Sequence, residues 1–299
     1  MHKRSILKKT FEFGASTLFS RLLALPREVL QIKFLGVGAL SDAFIAAFRL
    51  PNLLRRVFAE GALSAAFIPV FVRLTKNKEH KTAQGLMTIS FIFFESIVLT
   101  LCIAVFLFPG FIVKLVTPGF SAQQISYAIP LIRILFPLLF FISSSALLAG
   151  ALQSINHFFA PAFGPALHNI IYVSTLILCL AYKLDVTMLA LGILLGGVAN
   201  FLMHLFFYLK YRFYFGPITK EAKAAFASVM YKFLPCLFGV GVVELNLFLD
   251  NQISSFLHEG AYSLLYYGNR FMNMPLGIFG VALSTVLLPH FSRIALFAP

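Results

Sequence analysis

Residues 42–69 read Asp42-Ala-Phe-Ile-Ala-Ala-Phe-Arg49-Leu-Pro51-Asn-Leu-Leu-Arg55-Arg56-Val-Phe-Ala-Glu60-Gly-Ala-Leu-Ser-Ala-Ala-Phe-Ile-Pro69, four charges carried from Arg49 to Glu60 through otherwise apolar sequence. A charge at mid-membrane depth costs roughly 2.5 to 3.5 kcal/mol on insertion scales, so a span keeps four of them only where they face protein or water. Asp42, Arg49 and Arg56 recur every seven residues, a spacing that drifts only about 20° per step around a helix, and Glu60 follows Arg56 one turn later. The segment therefore reads as a membrane helix whose charged face forms the wall of a cationic cavity.

Composition agrees with a membrane chain. Hydrophobic residues make up 60% and charged residues 12% of the 299, and the mean hydropathy is +0.89, which excludes an ordinary soluble domain. Apolar runs of near-spanning length fall at Phe91–Phe111, Ile129–Ala151, Pro161–Tyr182, Met188–Tyr208, Phe233–Phe256 and Pro275–Leu288. With the charged segments Phe13–Leu35 and Asp42–Leu74 they make about eight spans.

The net charge of +13 does not require a nucleic-acid partner, because the basic residues sit where membrane proteins put them. Lys3, Arg4, Lys8 and Lys9 precede the first span; Arg73, Lys76, Lys78 and Lys81 follow the second; Lys210, Arg212, Lys220 and Lys223 follow the sixth. The intervening loops near 36–41, 117–124 and 258–260 hold no Lys or Arg. The positive-inside bias then places both termini in the cytoplasm, with Lys114 and Lys183 as mild exceptions. Arg21, Arg27 and Glu28 interrupt the first apolar stretch, so it reads as a retained helix rather than a signal peptide. Cys102, Cys179 and Cys236 fall singly in different spans, with no disulfide framework, and no metal-ligand spacing or cofactor motif is evident.

The chain also echoes itself. Ala62-Leu63-Ser64-x-x-Phe67-Ile68-Pro69-x-Phe71-x-Arg73-Leu74 returns as Ala282-Leu283-Ser284-x-x-Leu287-Leu288-Pro289-x-Phe291-x-Arg293-Ile294, and Gly38-Ala39-Leu40-Ser41 as Gly260-Ala261-Tyr262-Ser263. An even number of spans separates the copies, which predicts two parallel lobes. The expected fold class is an all-α polytopic helix bundle: a six-helix lobe over residues 1–220, then the first two helices of an incomplete second lobe over 221–299.

Candidate ligands for a substrate are Arg21, Arg27, Arg49, Arg55, Arg56 and Arg270, with Glu28, Asp42 and Glu60 as acidic partners. Pro26 and Pro51 remove backbone hydrogen bonds beside these arginines and bend their helices, which is tolerated where the bend lines a cavity. Guanidinium is permanently charged and offers paired donors to phosphate oxygens. The competing reading is structural: Arg27, Arg55 or Arg56 pairs with Glu28, Asp42 or Glu60, or snorkels to the interface. Arg133, just before Phe136-Pro137, is a weaker candidate that reads equally well as an interfacial anchor. Glu95, Glu244 and Asp250 are isolated acids, each a partner for an arginine or an ion site. Gly192-x-x-x-Gly196 fits close helix packing. The histidines lack metal spacing and default to surface or interfacial positions. No nucleophile–base arrangement argues for an enzyme.

These residues carry a family likeness. Phe19-Ser20-Arg21, Pro26-Arg27-Glu28, Ser41-Asp42-Ala43-Phe44, Phe48 through Ala62 and Phe67-Ile68-Pro69 closely resemble the first two helices of the bacterial lipid II flippases, the MurJ or MviN family; Thr117-Pro118-Gly119-Phe120, Asn169-Ile170 and Tyr266-Tyr267 with Arg270 match further on. The resemblance implies membership of the superfamily of multidrug, oligosaccharidyl-lipid and polysaccharide exporters. It also implies movement of the undecaprenyl-pyrophosphate-linked peptidoglycan precursor, lipid II, across the bacterial cytoplasmic membrane. Essential arginines of the family map onto Arg21, Arg27, Arg55 and Arg270, with Asp42 and Glu60 as companions. Where the family often flanks the last arginine with acids, this chain has Asn269 and Asn273. Family proteins also continue through a full second lobe, so the chain is expected to be an amino-terminal part, a partner of a second polypeptide that completes that lobe, or a transport-inactive subunit. Export of another polyprenyl-linked glycan is the other functional alternative.

Overall fold

The computed structural model describes residues 25–56 and 62–273, and within them every regular element is helical. The helices are α1 (25–35), α2 (Ala39–Arg55), α3 (Ala62–Lys76), α4 (His80–Leu107), α5 (Pro109–Val116), α6 (Ala122–Leu135), α7 (Leu138–Ser154), α8 (Phe159–Tyr182), α9 (Val186–Lys210), α10 (Lys220–Ser255) and α11 (261–273). Arg21, Glu60 and the repeat copy at 282–294 lie outside the described residues.

Among the described residues, five stretches are long and apolar enough to cross a membrane: α4, α6 with α7, α8, α9 and α10. Their outward stripes are greasy. Ile92, Leu99, Ile103 and Phe106 on α4, and Leu191, Leu195, Leu202 and Phe206 on α9, are exposed at helical spacing, a pattern that water penalises and lipid accepts. Apolar length alone underestimated these helices. α10 begins at Lys220 rather than Phe233 because Thr219 caps it, accepting from the Ala222 amide at 3.2 Å. α6 likewise begins at Ala122, where Ser121 and Gln124 form a reciprocal capping box. The stretch predicted as Phe91–Phe111 is broken at Phe108, with Pro109 opening α5 in the first turn, where a missing N–H costs nothing.

α2 is the central helix of the bundle. Every residue from Ser41 to Phe48 is buried, around its whole circumference. α2 and α3, successive parts of the charged segment, run beside α6 and α7 in the same direction. Gln124 of α6 ties to Asp42 at one end at 2.9 Å, and Ser154 of α7 lies 3.3 Å from Thr75 at the other. Apolar side chains form two cores stacked along this axis. One gathers Phe44, Phe48, Leu131, Phe136, Tyr172 and Ile193, and the other Phe67, Phe71, Phe94, Leu148, Tyr208 and Phe233.

α8 and α9 pack closely because glycines let them. A Cβ on Gly192 would fall 2.3 Å from Thr175, and one on Gly196 3.0 Å from His168, which gives the predicted small-residue pair its partner helix. A comparable approach closes the end of the bundle, where the Gly119 amide donates to Ser255 Oγ at 3.0 Å. A Cβ on Gly119 would sit 2.5 Å from the Ser255 carbonyl oxygen and 2.6 Å from Phe256 backbone atoms. Backbone cannot yield as a side chain does, so Gly119→Ala is expected to cost about 1 to 3 kcal/mol, read as a lowered unfolding temperature in detergent; an unchanged temperature would deny this contact.

Candidate functional site

A cavity of about 460 Å³ opens between α1, α2, α3, α7, α8, α9 and α11. Three arginines from three helices reach it: Arg27 from α1, Arg55 from α2 and Arg270 from α11. No carboxylate lines it among the described residues. Arg27 is held from two sides. One terminal nitrogen donates to Asn169 Oδ1 of α8 at 2.8 Å, the other to Glu28 Oε1 at 2.5 Å, and its guanidinium carbon stands 5.3 Å from the Tyr172 ring centroid. Arg270, half-exposed, turns its Nε toward the same Glu28 oxygen at 3.3 Å and toward the Tyr266 hydroxyl at 3.3 Å. One buried carboxylate thus serves two guanidinium groups, leaving the cavity wall with an excess of positive charge.

Buried polar side chains fix this wall in place. The Tyr172 hydroxyl donates to Gln31 Oε1 at 2.7 Å, and Gln31 Nε2 donates to the Tyr267 hydroxyl at 3.3 Å, which lies 3.4 Å from Ser41 Oγ. This chain joins α8, α1, α11 and α2 behind the arginines, and in a low-dielectric interior such a satisfied network resists rearrangement.

The opposite end of α2 does different work. Asp42 is fully buried and accepts from the backbone amides of Gly260 at 2.7 Å and Ser263 at 2.8 Å, besides Gln124. These are the cap and third-position amides of α11, so Asp42 caps a helix 218 residues further along the chain. Gly260 makes the approach possible: its φ is +89°, and a Cβ there would lie 2.7 Å from Val37. The two loops that echo each other in sequence, at Gly38 and Gly260, therefore meet. Around them Ser121 donates to Glu259 and Gln252 to the Leu115 carbonyl. The bundle is clasped at this end, while the cavity lies toward the other.

Arg49 lies within the clasped region, its guanidinium 5.7 and 5.6 Å from the Tyr262 and Tyr266 ring centroids. Arg56 instead pairs with Glu244 of α10 at 3.0 Å. The heptad face predicted as one cavity wall is thus divided: Asp42 and Arg49 hold α11, Arg56 holds α10, and Arg55, one residue off that face, lines the cavity together with Arg27 and Arg270. The reason is the surroundings of α2. A helix buried on all sides meets a different neighbour at each level, and heptad spacing does not report which. Of the isolated acids, Glu244 is the partner of Arg56, Glu95 is buried and accepts from Ser143 at 2.6 Å, and Asp250 is exposed. Among the described residues no cluster of His, Cys, Asp and Glu could hold a metal.

Sequence reasoning missed part of the site. His168 and His204, assigned by default to surface or interfacial positions, line the cavity, and His204 is buried. Gln31, Tyr172 and Asn200 drew no attention, because single polar residues within apolar runs carry no spacing signal. Only Asn169 stood in a segment singled out beforehand.

Membrane-length helices, a clasp between distant segments at one end and a polar cavity toward the other define a polytopic helical membrane fold. An inward-facing MATE family multidrug resistance transporter of the MOP superfamily shares it, with a TM-score of 0.67 at 15% identity over 87% of this chain and 59% of that one. The particular family is closer: residues 32–296 match the family described as "Lipid II flippase MurJ", and the chain belongs to that family. It is 37% identical to a probable lipid II flippase MurJ of Haemophilus influenzae, over 93% of this chain and 56% of that protein, and 34% identical to a lipid II flippase MurJ of Burkholderia cenocepacia, over 93% and 55%. A solved lipid II flippase MurJ in an inward closed conformation superposes with a TM-score of 0.80 at 32% identity, covering 94% of this chain and 58% of that one. The chain spans a little over half the length of these relatives.

Proposed function

We propose that this chain binds lipid II through the arginine-lined cavity and takes part in carrying it across the bacterial cytoplasmic membrane by alternating access, without covalent catalysis. The observation that supports this reading most is the convergence of Arg27, Arg55 and Arg270 on one cavity with no lining carboxylate among the described residues. A pyrophosphate needs cationic, multidentate donors, and guanidinium groups supply them. Arg21, Arg49, Arg56 and Glu60 are proposed to act around the same path, with Glu28 and Asp42 positioning the arginines and helices that hold the substrate. In this reading both termini face the cytoplasm, the cavity opens to that side, and the clasp at Asp42 closes the far side. Opening the clasp as the cavity closes would expose the substrate to the outer leaflet.

We propose the lobe boundary near residue 220, between α9 and α10. A second polypeptide with further helices is proposed as a partner, seated against the apolar face that α10 presents through Phe238, Val242, Leu245 and Leu249, all exposed. Rescue of flippase-depleted bacteria tests both statements: growth restored by this chain, alone or with a polypeptide supplying the remaining helices, is the expected outcome. Failure of both combinations to restore growth, with the chain inserted in the membrane, would overturn the transport role.

A further inference from the structure

Helices α7, α8 and α9 contribute a different lining to the same cavity: Ser145, Gln153, His168, Asn200 and His204, which are hydroxyl, amide and imidazole groups able to exchange hydrogen bonds. Asn200 stands out. The residue is only 9% exposed, and its Oδ1 is buried with no hydrogen-bond partner among the described residues. A buried polar atom left without a partner is unfavourable. Room for it is provided by a missing side chain. A Cβ on Gly164 would fall 2.2 Å from Asn200 Oδ1 and 2.7 Å from His204 Cε1, so glycine at that point of α8 lets both residues occupy the cavity wall. His204 is held by its Nδ1, 2.9 Å from the Asn200 carbonyl oxygen, which fixes the ring and leaves Nε2 as its other polar atom.

A cavity with guanidinium groups from α1, α2 and α11 and amide, hydroxyl and imidazole groups from α7, α8 and α9 matches a ligand that carries both an anionic group and a polyhydroxylic one. We infer that Asn200 and His204, cleared by Gly164, form a sugar subsite that takes the first glycosyl residue esterified to the pyrophosphate. The inference rests on the proposed anion-binding role of the three arginines and adds a specificity determinant to it. Hydroxyl and acetamido groups of a hexosamine are both donors and acceptors, so they satisfy the Asn200 amide at either end. A bare polyprenyl pyrophosphate leaves it unpaired, and sites built to hydrogen-bond a substrate group discriminate strongly against the analogue that lacks it.

Binding of two ligands to the full chain in nanodiscs separates the possibilities: undecaprenyl pyrophosphate, and the same lipid carrying a single N-acetylhexosamine and no peptide. The unsubstituted chain is expected to bind the glycosylated lipid at least tenfold more tightly. Asn200→Leu, close in shape, and independently His204→Phe are each expected to bring that ratio near one, with unfolding temperatures recorded to show that each variant is folded. Equal affinity of the unsubstituted chain for both lipids, or a preference that persists in both folded variants, would overturn the sugar subsite while leaving the anion site standing. Failure to bind either lipid would overturn the anion site itself, and the subsite with it.

Discussion

Arg270→Gln is expected to weaken binding of undecaprenyl pyrophosphate by one to two orders of magnitude. Arg270 is the cavity cation supplied by α11, the helix that begins beyond the proposed lobe boundary, so its loss removes one side of the clamp. A hydrogen bond to a charged group contributes about 1.5 to 3 kcal/mol, and each 1.4 kcal/mol is a factor of ten in affinity. The substitution also leaves Arg27 as the one cation paired with Glu28 among the described residues, which ties that guanidinium more firmly to its carboxylate and less to a ligand. Arg270→Lys is expected to fall between, since it keeps the charge but loses the planar fork. Titration in nanodiscs reads the effect directly, and wild-type affinity in folded Arg270→Gln would remove this residue from the site.

Asp42→Ala is the second large effect. The carboxylate accepts two backbone amides of α11 and one side-chain amide of α6, and all three donors are left without it in a buried setting. Losses of this kind are several kcal/mol when the interior cannot admit water. Hydrogen exchange at the Gly260 and Ser263 amides is therefore expected to speed up on the order of 100-fold, consistent with loss of about 2.7 kcal/mol of protection. Asp42→Asn, which retains an acceptor without the charge, is expected to give a smaller acceleration. If the clasp closes one face of an alternating-access cycle, the same variants shift the population toward the form open at that face. Unchanged exchange at both amides would show that Asp42 does not cap α11.

Much of the fold was legible in the sequence, and less of the site. The helical class, the membrane setting and the approximate spans follow from apolar runs and the placement of Lys and Arg, because the bilayer demands uninterrupted helices and punishes buried charge. The echo of Gly38–Ser41 at Gly260–Ser263 anticipated two related loops, and the structure brings them into contact. The arginines were legible as a set, since cations inside a membrane segment stand out. Their division was not. Whether Arg49, Arg55 or Arg56 reaches a cavity depends on which helix lies opposite, and that is a property of tertiary packing. Arg55 lines the cavity because α8 and α9 leave space beyond it, while Arg56 meets Glu244 on α10, 188 residues away. The lining from α8 and α9 was least visible of all: Gly164, Asn200 and His204 become a unit only when α8 and α9 are side by side.

The central claim is that Arg27, Arg55 and Arg270 jointly grip a pyrophosphate, and dipolar coupling between phosphorus and guanidinium nitrogen tests it most directly. With arginine labelled by nitrogen-15 and undecaprenyl pyrophosphate bound to the full chain in lipid, phosphorus signal is expected to dephase strongly, as contacts of about 2.7 to 2.9 Å between nitrogen and phosphate oxygen require. Replacing the three residues together by Gln should abolish that dephasing. Bound ligand with no phosphorus–guanidinium coupling, or coupling undiminished in the triple variant, would contradict the claim.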